Sequence, residues 1–306
     1  DSTMDFGLSE DQRQLEQTLR SFLADRVPIE RVRALREADC PNDREIWQGL
    51  AELGVTGMLV PTAQDGSGLS LLDAALVSQS LGHAVTPCPF LSSSVMSVVA
   101  LASIGTPPVE DWLARIATGD LVFGVAFTEL FSRREEAGVR LEGDRLFGKA
   151  MMAIDACTAD RLLVALDAET LAVVGRDAAG VATTRLRTTD ATRCTAEVVF
   201  EGVVPEAIFT DAGRAIERAL VAGRIALAAD ALGACESMID QAVAYAGQRK
   251  QFGRLIGSFQ AVKHLCAEMV AELEPARSLL WYAAHAFDAA PEEAPRMACH
   301  VLAHVS

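Results

Sequence analysis

The sequence predicts an α+β fold in the order helix, sheet, helix, and three observations predict it. Apolar residues recur at helical spacing over roughly the first 118 positions. Short β-prone runs separated by Asp and Gly fill 121–205. No proline then interrupts Gly213 to Glu274, where two long apolar faces follow one another. The expected organisation is an N-terminal α-helical domain over 1–118, a middle antiparallel β-domain over 119–205, and a C-terminal antiparallel helix bundle over 206–306.

Each element has its own signal. Ser9-Glu10-Asp11-Gln12 fits a capping box, and Leu15, Leu19, Phe22 and Leu23 recur until Val27-Pro28 ends the first helix. A second helix carries Ile46, Trp47, Leu50 and Leu53 and stops at Gly54, before a loop containing Asp65-Gly66-Ser67-Gly68. Ser70 caps the next, with Asp73 in its first turn, where a negative charge suits the helix dipole. Prolines 87, 89, 107 and 108 bracket the apolar stretch Leu91–Ile104, and Trp112–Ile116 adds a short helix.

Strands are expected at Leu121–Phe127, Leu162–Leu166 and Leu171–Val174, with Glu197–Phe200 the last and Pro205 the close. Leu220, Leu227, Ala231, Ala234 and Met238 then trace one face of a helix reaching about Gly247. Phe259, Val262, Cys266, Met269, Leu273 and Leu280 trace its antiparallel neighbour.

Composition narrows the function. The chain has 306 residues, half of them apolar, and no apolar run of the roughly 18 residues that a membrane-spanning helix needs. With 42 Asp and Glu against 27 Lys and Arg, the net charge of -15 repels a phosphate backbone, so nucleic acid is not an expected partner. The seven cysteines are scattered without a CxxC pair and read as free thiols. The N-terminal residues show no export signal, which places the protein in the cytoplasm. His300 and His304 are four apart, but no glutamate pattern or third ligand accompanies them, and no metal is expected.

The break between the two long C-terminal helices concentrates donors: Arg249, Lys250, the Gln251 amide and the backbone near Ser258 together suit a phosphate group. On chemistry alone it also reads as a solvated turn. The run Gln248-Arg249-Lys250-Gln251-Phe252-Gly253-Arg254-Leu255-Ile256-Gly257-Ser258-Phe259-Gln260 closely resembles the C-terminal helical signature of acyl-CoA dehydrogenases. Upstream, Trp47, Leu53-Gly54-Val55, Pro61, Gly68-Leu69-Ser70 and Leu81-Gly82 resemble the N-terminal helical domain of that family. The resemblance implies FAD as cofactor, held largely by a neighbouring subunit, with Arg249 at the pyrophosphate and Gln251, Phe252 and Gln260 beside it. It therefore implies a dimer or tetramer.

Glu217-Arg218 stand next to each other and so do not face one another on a helix; alone they read as solvated. The segment resembles the Glu-Arg of isovaleryl-CoA and long-chain acyl-CoA dehydrogenases, which implies that Glu217 is the catalytic base and Arg218 a substrate contact. In that reading Glu217 removes an α-proton from an acyl-CoA while the β-hydrogen leaves as hydride, giving a trans-2-enoyl-CoA. Electrons then pass to an electron-transferring flavoprotein.

The β-segment departs from the family. Thr128 matches the opening of a flavin loop, but the following Ala-Gly-Ser-Asp is replaced by Leu130-Phe131-Ser132-Arg133-Arg134. The second flavin loop aligns with Lys149-Ala150-Met151-Met152-Ala153-Ile154, where Met151 stands for a tryptophan and lies soft against the ring. The family's glycine-rich flavin segment has no counterpart before Ser306, so the chain reads as a short or truncated member. An alternative stays open: a non-catalytic partner subunit of a heteromeric acyl-CoA dehydrogenase, lending FAD contacts across the interface. So does a related flavin chemistry such as that of monooxygenases or nitroalkane oxidases.

Overall fold

The computed structural model describes residues 7–38, 42–127 and 137–306. Its first part is helical: α1 (Glu10–Arg26), α2 (Ile29–Arg36), α3 (Arg44–Glu52), α4 (Leu71–His83), a π-helix (Phe90–Ser97) that runs into α5 (Val98–Ile104), and α6 (Val109–Ala117). The Ser9 box forms as read, with Gln12 N donating to Ser9 Oγ at 3.1 Å and Ser9 N to Gln12 Oε1 at 3.0 Å. Asp73 does more than meet the dipole: its carboxylate accepts from Ser70 N at 2.9 Å and from Gln12 Nε2 at 3.0 Å, which ties α1 to α4. The short α2 is absent from the sequence reading because only Val32 anchors it in the core. The apolar stretch after Pro89 opens as a π-helix rather than an α-helix, burying Ser92, Ser93, Ser94 and Ser97.

An eight-stranded sheet follows, formed by β1 (Phe123–Ala126), β2 (Gly138–Glu142), β3 (Arg145–Ile154), β4 (Arg161–Ala165), β5 (Leu171–Gly175), β6 (Val181–Arg185), β7 (Thr195–Val203) and β8 (Ala207–Phe209). The order is β6-β7-β3-β1-β4-β5-β8, with β2 also paired to β3. Pairing is antiparallel except between β1 and β4, where Val125 lies opposite Leu163 in a parallel register. The strands read from sequence are those buried on both faces, such as β4 and β5. Those missed are half-exposed, such as β6, or charged at one end, such as β3. Pro205 does not close the sheet, because β8 continues it by pairing Leu171 with Phe209.

The last part comprises α7 (Gly213–Ala246), α8 (Gln260–Ala289) and α9 (Ala294–Val305). Helix α8 runs through Pro275 and beyond the apolar face read for it. Between α7 and α8 lies a minimal hairpin, β9 (Lys250–Gln251) and β10 (Arg254–Leu255), whose central residues Phe252 and Gly253 both have positive φ. Helices α4 and α7 cross at two glycines: a Cβ on Gly82 would sit 2.0 Å from the Asp230 carbonyl oxygen, and one on Gly233 1.9 Å from that of Gln79. This close approach fixes α7, the helix whose two ends carry the candidate site. No described helix is long and apolar enough to cross a membrane.

Candidate active site

Glu217 lies in the second turn of α7 and is exposed. It shares a cavity of about 100 Å³ with Arg214, Arg218, Val221, Phe287 and Pro291, the last two from the end of α8 and the turn after it. The Arg218 guanidinium stacks on the Phe287 ring, 4.1 Å from its centroid. Among the described residues, none of Glu217, Arg214 and Arg218 has an ion-pair partner. The cavity thus joins a free carboxylate to an apolar wall, a base beside a surface on which a carbon chain can lie.

The donor cluster lies at the far end of the same helix. Ala246 is 29 residues beyond Glu217, which at 1.5 Å per residue is about 44 Å. The structure therefore does not bring Arg249 to Glu217. Arg249, Lys250 and Gln251 are exposed on the hairpin, and Gln260, also exposed, is the first residue of α8. Phe252 is 92% exposed and meets Phe259 edge-on, with ring centroids 6.2 Å apart. Arg254 covers the Phe259 face at 4.0 Å. So exposed a ring, on a hairpin with two positive-φ residues, is free to receive a group brought against it.

The residues present fit a phosphate-bearing cofactor at this end. From Gln248 to Gln260 the sequence carries three cations, three amide side chains and no carboxylate, and the α8 N-terminus adds backbone N–H groups. Arg249 would hold a pyrophosphate with charge-assisted hydrogen bonds, and Gln251 and Gln260 would supply neutral donors.

Met151 sits elsewhere. The pairing of β3 with β7 slips between Ala150 and Ala153, so Met151 and Met152 occupy a bulge, with Met152 at φ 56. Both are half-buried. Ile154, at the end of β3, packs against the apolar cluster that holds Ile216 and Ala219 of α7. The end of β3 thus packs near the start of α7. Thr128 lies outside the described residues.

Sequence reasoning missed a buried polar cluster beneath the bulge. Ser92 Oγ of the π-helix donates to Asp155 Oδ2 at 2.6 Å, and Arg193 Nη2 pairs with Asp230 Oδ2 of α7, also at 2.6 Å. Asp155 takes a left-handed turn at φ 55, which an aspartate tolerates, and this is the faint signal the sequence held. Burial pushes its carboxyl up to about 6, against the Ser92 hydrogen bond and the Arg193 charge, which favour the ionised form. The folded state therefore holds this proton more tightly than the unfolded chain does, so stability present below pH 4 is lost as pH rises towards 6. Asp155→Asn is expected to remove that loss, gaining on the order of 2 kcal/mol over the wild type at pH 7 and nothing at pH 4. Denaturant midpoints of the two proteins across that range measure it.

Comparison with known proteins identifies the chain. The acyl-CoA dehydrogenase N-terminal domain model matches residues 9–120, and the acyl-CoA dehydrogenase C-terminal domain model matches 212–303. The chain belongs to the acyl-CoA dehydrogenase family. It is 31% identical over 278 residues to acyl-CoA dehydrogenase IpdE2 of Mycolicibacterium smegmatis, covering 89% of this chain and 76% of that protein. Among solved structures, the ChsE4-ChsE5 complex from Mycobacterium tuberculosis has a TM-score of 0.82 at 26% identity, covering 99% of this chain and 88% of the other. Glutaryl-CoA dehydrogenase from Mycobacterium smegmatis has a TM-score of 0.80 at 26% identity, covering 97% and 84%. The two family matches meet the helical parts on either side of the sheet, so both ends of α7, with Glu217 and Arg249, belong to the family's C-terminal unit. Members of this family are FAD-dependent oxidoreductases acting on CH–CH bonds.

Proposed function

We propose that this acyl-CoA dehydrogenase removes two hydrogens across the α,β bond of an acyl-CoA thioester to give the trans-2-enoyl-CoA, using FAD and passing electrons to an electron-transferring flavoprotein. The observation that carries the reading is the unpaired Glu217 carboxylate in a cavity with an apolar wall, in a chain of this family. Glu217 accepts the α-proton on a carboxylate oxygen, and the electron pair left behind forms the α,β π-bond as the β-hydrogen departs with its own pair. FAD supplies the acceptor for that hydride when bound. Val221, Phe287 and Pro291 offer the reacting carbons an apolar surface, and Arg218, fixed by its stack on Phe287, orients the acyl group beside Glu217.

The distance of about 44 Å along α7 argues that one chain's Glu217 and Arg249 serve different flavins. The working unit is then an oligomer in which each site takes its base from one chain and its pyrophosphate clamp from the next. A second reading, a non-catalytic subunit of a heteromeric enzyme, is favoured by the flavin-loop positions where Met151 and Ala153 stand in place of a tryptophan and a hydroxyl residue. The absorbance spectrum of the purified protein, taken anaerobically before and after acyl-CoAs are added, separates the two. Bleaching of a flavin band supports the dehydrogenase; a protein that stays colourless after FAD is supplied supports the partner subunit.

A further inference from the structure

Arg214 stands three residues before Glu217 and lines the same cavity. Side chains three apart on a helix are neighbours, with Cβ atoms roughly 5–6 Å apart. We infer that Arg214 and Arg218 form a clamp for a carboxylate carried by the acyl group, so that the substrate is a dicarboxylic acyl-CoA; this rests on Glu217 being the base.

Three observations carry it. First, both guanidinium groups lack an ion-pair partner among the described residues, whereas Arg20, Arg31, Arg161 and Arg193 are each paired with a carboxylate. With Glu217 ionised the cavity still holds an excess positive charge, in a chain whose net charge is -15. Second, Arg218 is held in advance: its face lies on Phe287 at 4.1 Å, which leaves the N–H groups at its edge to receive a carboxylate. Third, the rest of the wall is apolar. A purely hydrocarbon acyl chain in this space would leave the two arginines with only the one Glu217 carboxylate between them, an uncompensated positive charge against an apolar group, which is unfavourable. A carboxylate near the reacting carbons satisfies both arginines. The phosphates of CoA are poorly placed for this role, because the pantetheine arm separates them from the thioester whose α-carbon must lie at Glu217.

The test is titration calorimetry of the FAD-supplemented protein with glutaryl-CoA, valeryl-CoA and free CoA. Glutaryl-CoA is expected to bind about tenfold more tightly than valeryl-CoA. Arg214→Gln is expected to bring that ratio close to one, and Arg214→Lys, which keeps the charge but loses the planar fork, to leave it intermediate. Arg214 is exposed, and circular dichroism of each variant confirms that the fold is retained. Equal binding of the two thioesters by the wild type, or a ratio untouched by Arg214→Gln, overturns the clamp. So does a loss of affinity for free CoA as large as that for glutaryl-CoA, which would assign the arginines to phosphate. Failure of the dehydrogenase reading shows separately, as selective binding with no flavin reduction by either thioester.

Discussion

Glu217→Gln is expected to slow anaerobic reduction of the flavin by an acyl-CoA by about 10²–10⁴-fold, the usual contribution of a positioned base. Glutamine keeps the size and hydrogen-bonding reach of the side chain and removes only its capacity to take a proton, so the loss falls on the chemical step. Glu217→Asp withdraws the carboxylate by one methylene and is expected to lie between the two, because a base misplaced by about 1 Å loses much of its effect. Stopped-flow absorbance at the flavin band reads the rate directly. Because Glu217 is exposed and has no ion-pair partner among the described residues, neither change is expected to alter stability. A reduction rate equal to that of the wild type would remove Glu217 from the chemistry.

Arg249→Ala is expected to weaken FAD binding about 10- to 100-fold, the worth of a hydrogen bond to a charged group. Arg249 is exposed at the α7–α8 hairpin, and its side chain has no carboxylate partner among the described residues, so the apoprotein should melt at an unchanged temperature. Arg249→Lys keeps the charge and loses the bidentate fork, and is expected to recover part of the affinity. Fluorescence of free FAD released on dilution measures this. Full retention by Arg249→Ala would dissociate the hairpin from the cofactor.

Much of this arrangement is legible in the sequence, and for a physical reason. The long helices α7 and α8 announce themselves because a proline-free stretch with period-3.6 apolar residues admits few other structures. β4 and β5, buried on both faces, show as continuous apolar runs. β2 and β6 are short and largely exposed, and β8 is a three-residue strand that pairs with β5 far earlier in the chain, so local pattern does not reveal them. The candidate site divides in the same way. Glu217 and Arg249 are found because they sit in recognisable runs. The role of Arg214 depends on Phe287 and Pro291, some 70 residues downstream, meeting it across one cavity, which only the packing of α8 against α7 creates. The Ser92–Asp155 contact likewise joins a π-helix to a strand end and has no local signature.

In the proposed enzyme each site is built from two chains, with Glu217 from one and Arg249 from the other. The test is to mix Glu217→Gln protein with Arg249→Ala protein where subunits exchange, at an FAD concentration that fills the wild type but leaves Arg249→Ala protein empty and so inactive. In a mixed pair, the Arg249→Ala chain offers an intact Glu217 and the Glu217→Gln chain an intact Arg249, so one complete site re-forms. Acyl-CoA-dependent flavin reduction is expected to reappear on mixing, approaching one complete site in each mixed pair. A mixture as inactive as its two parents, with subunit exchange demonstrated, would contradict it and require base and clamp to act on one flavin within a single chain.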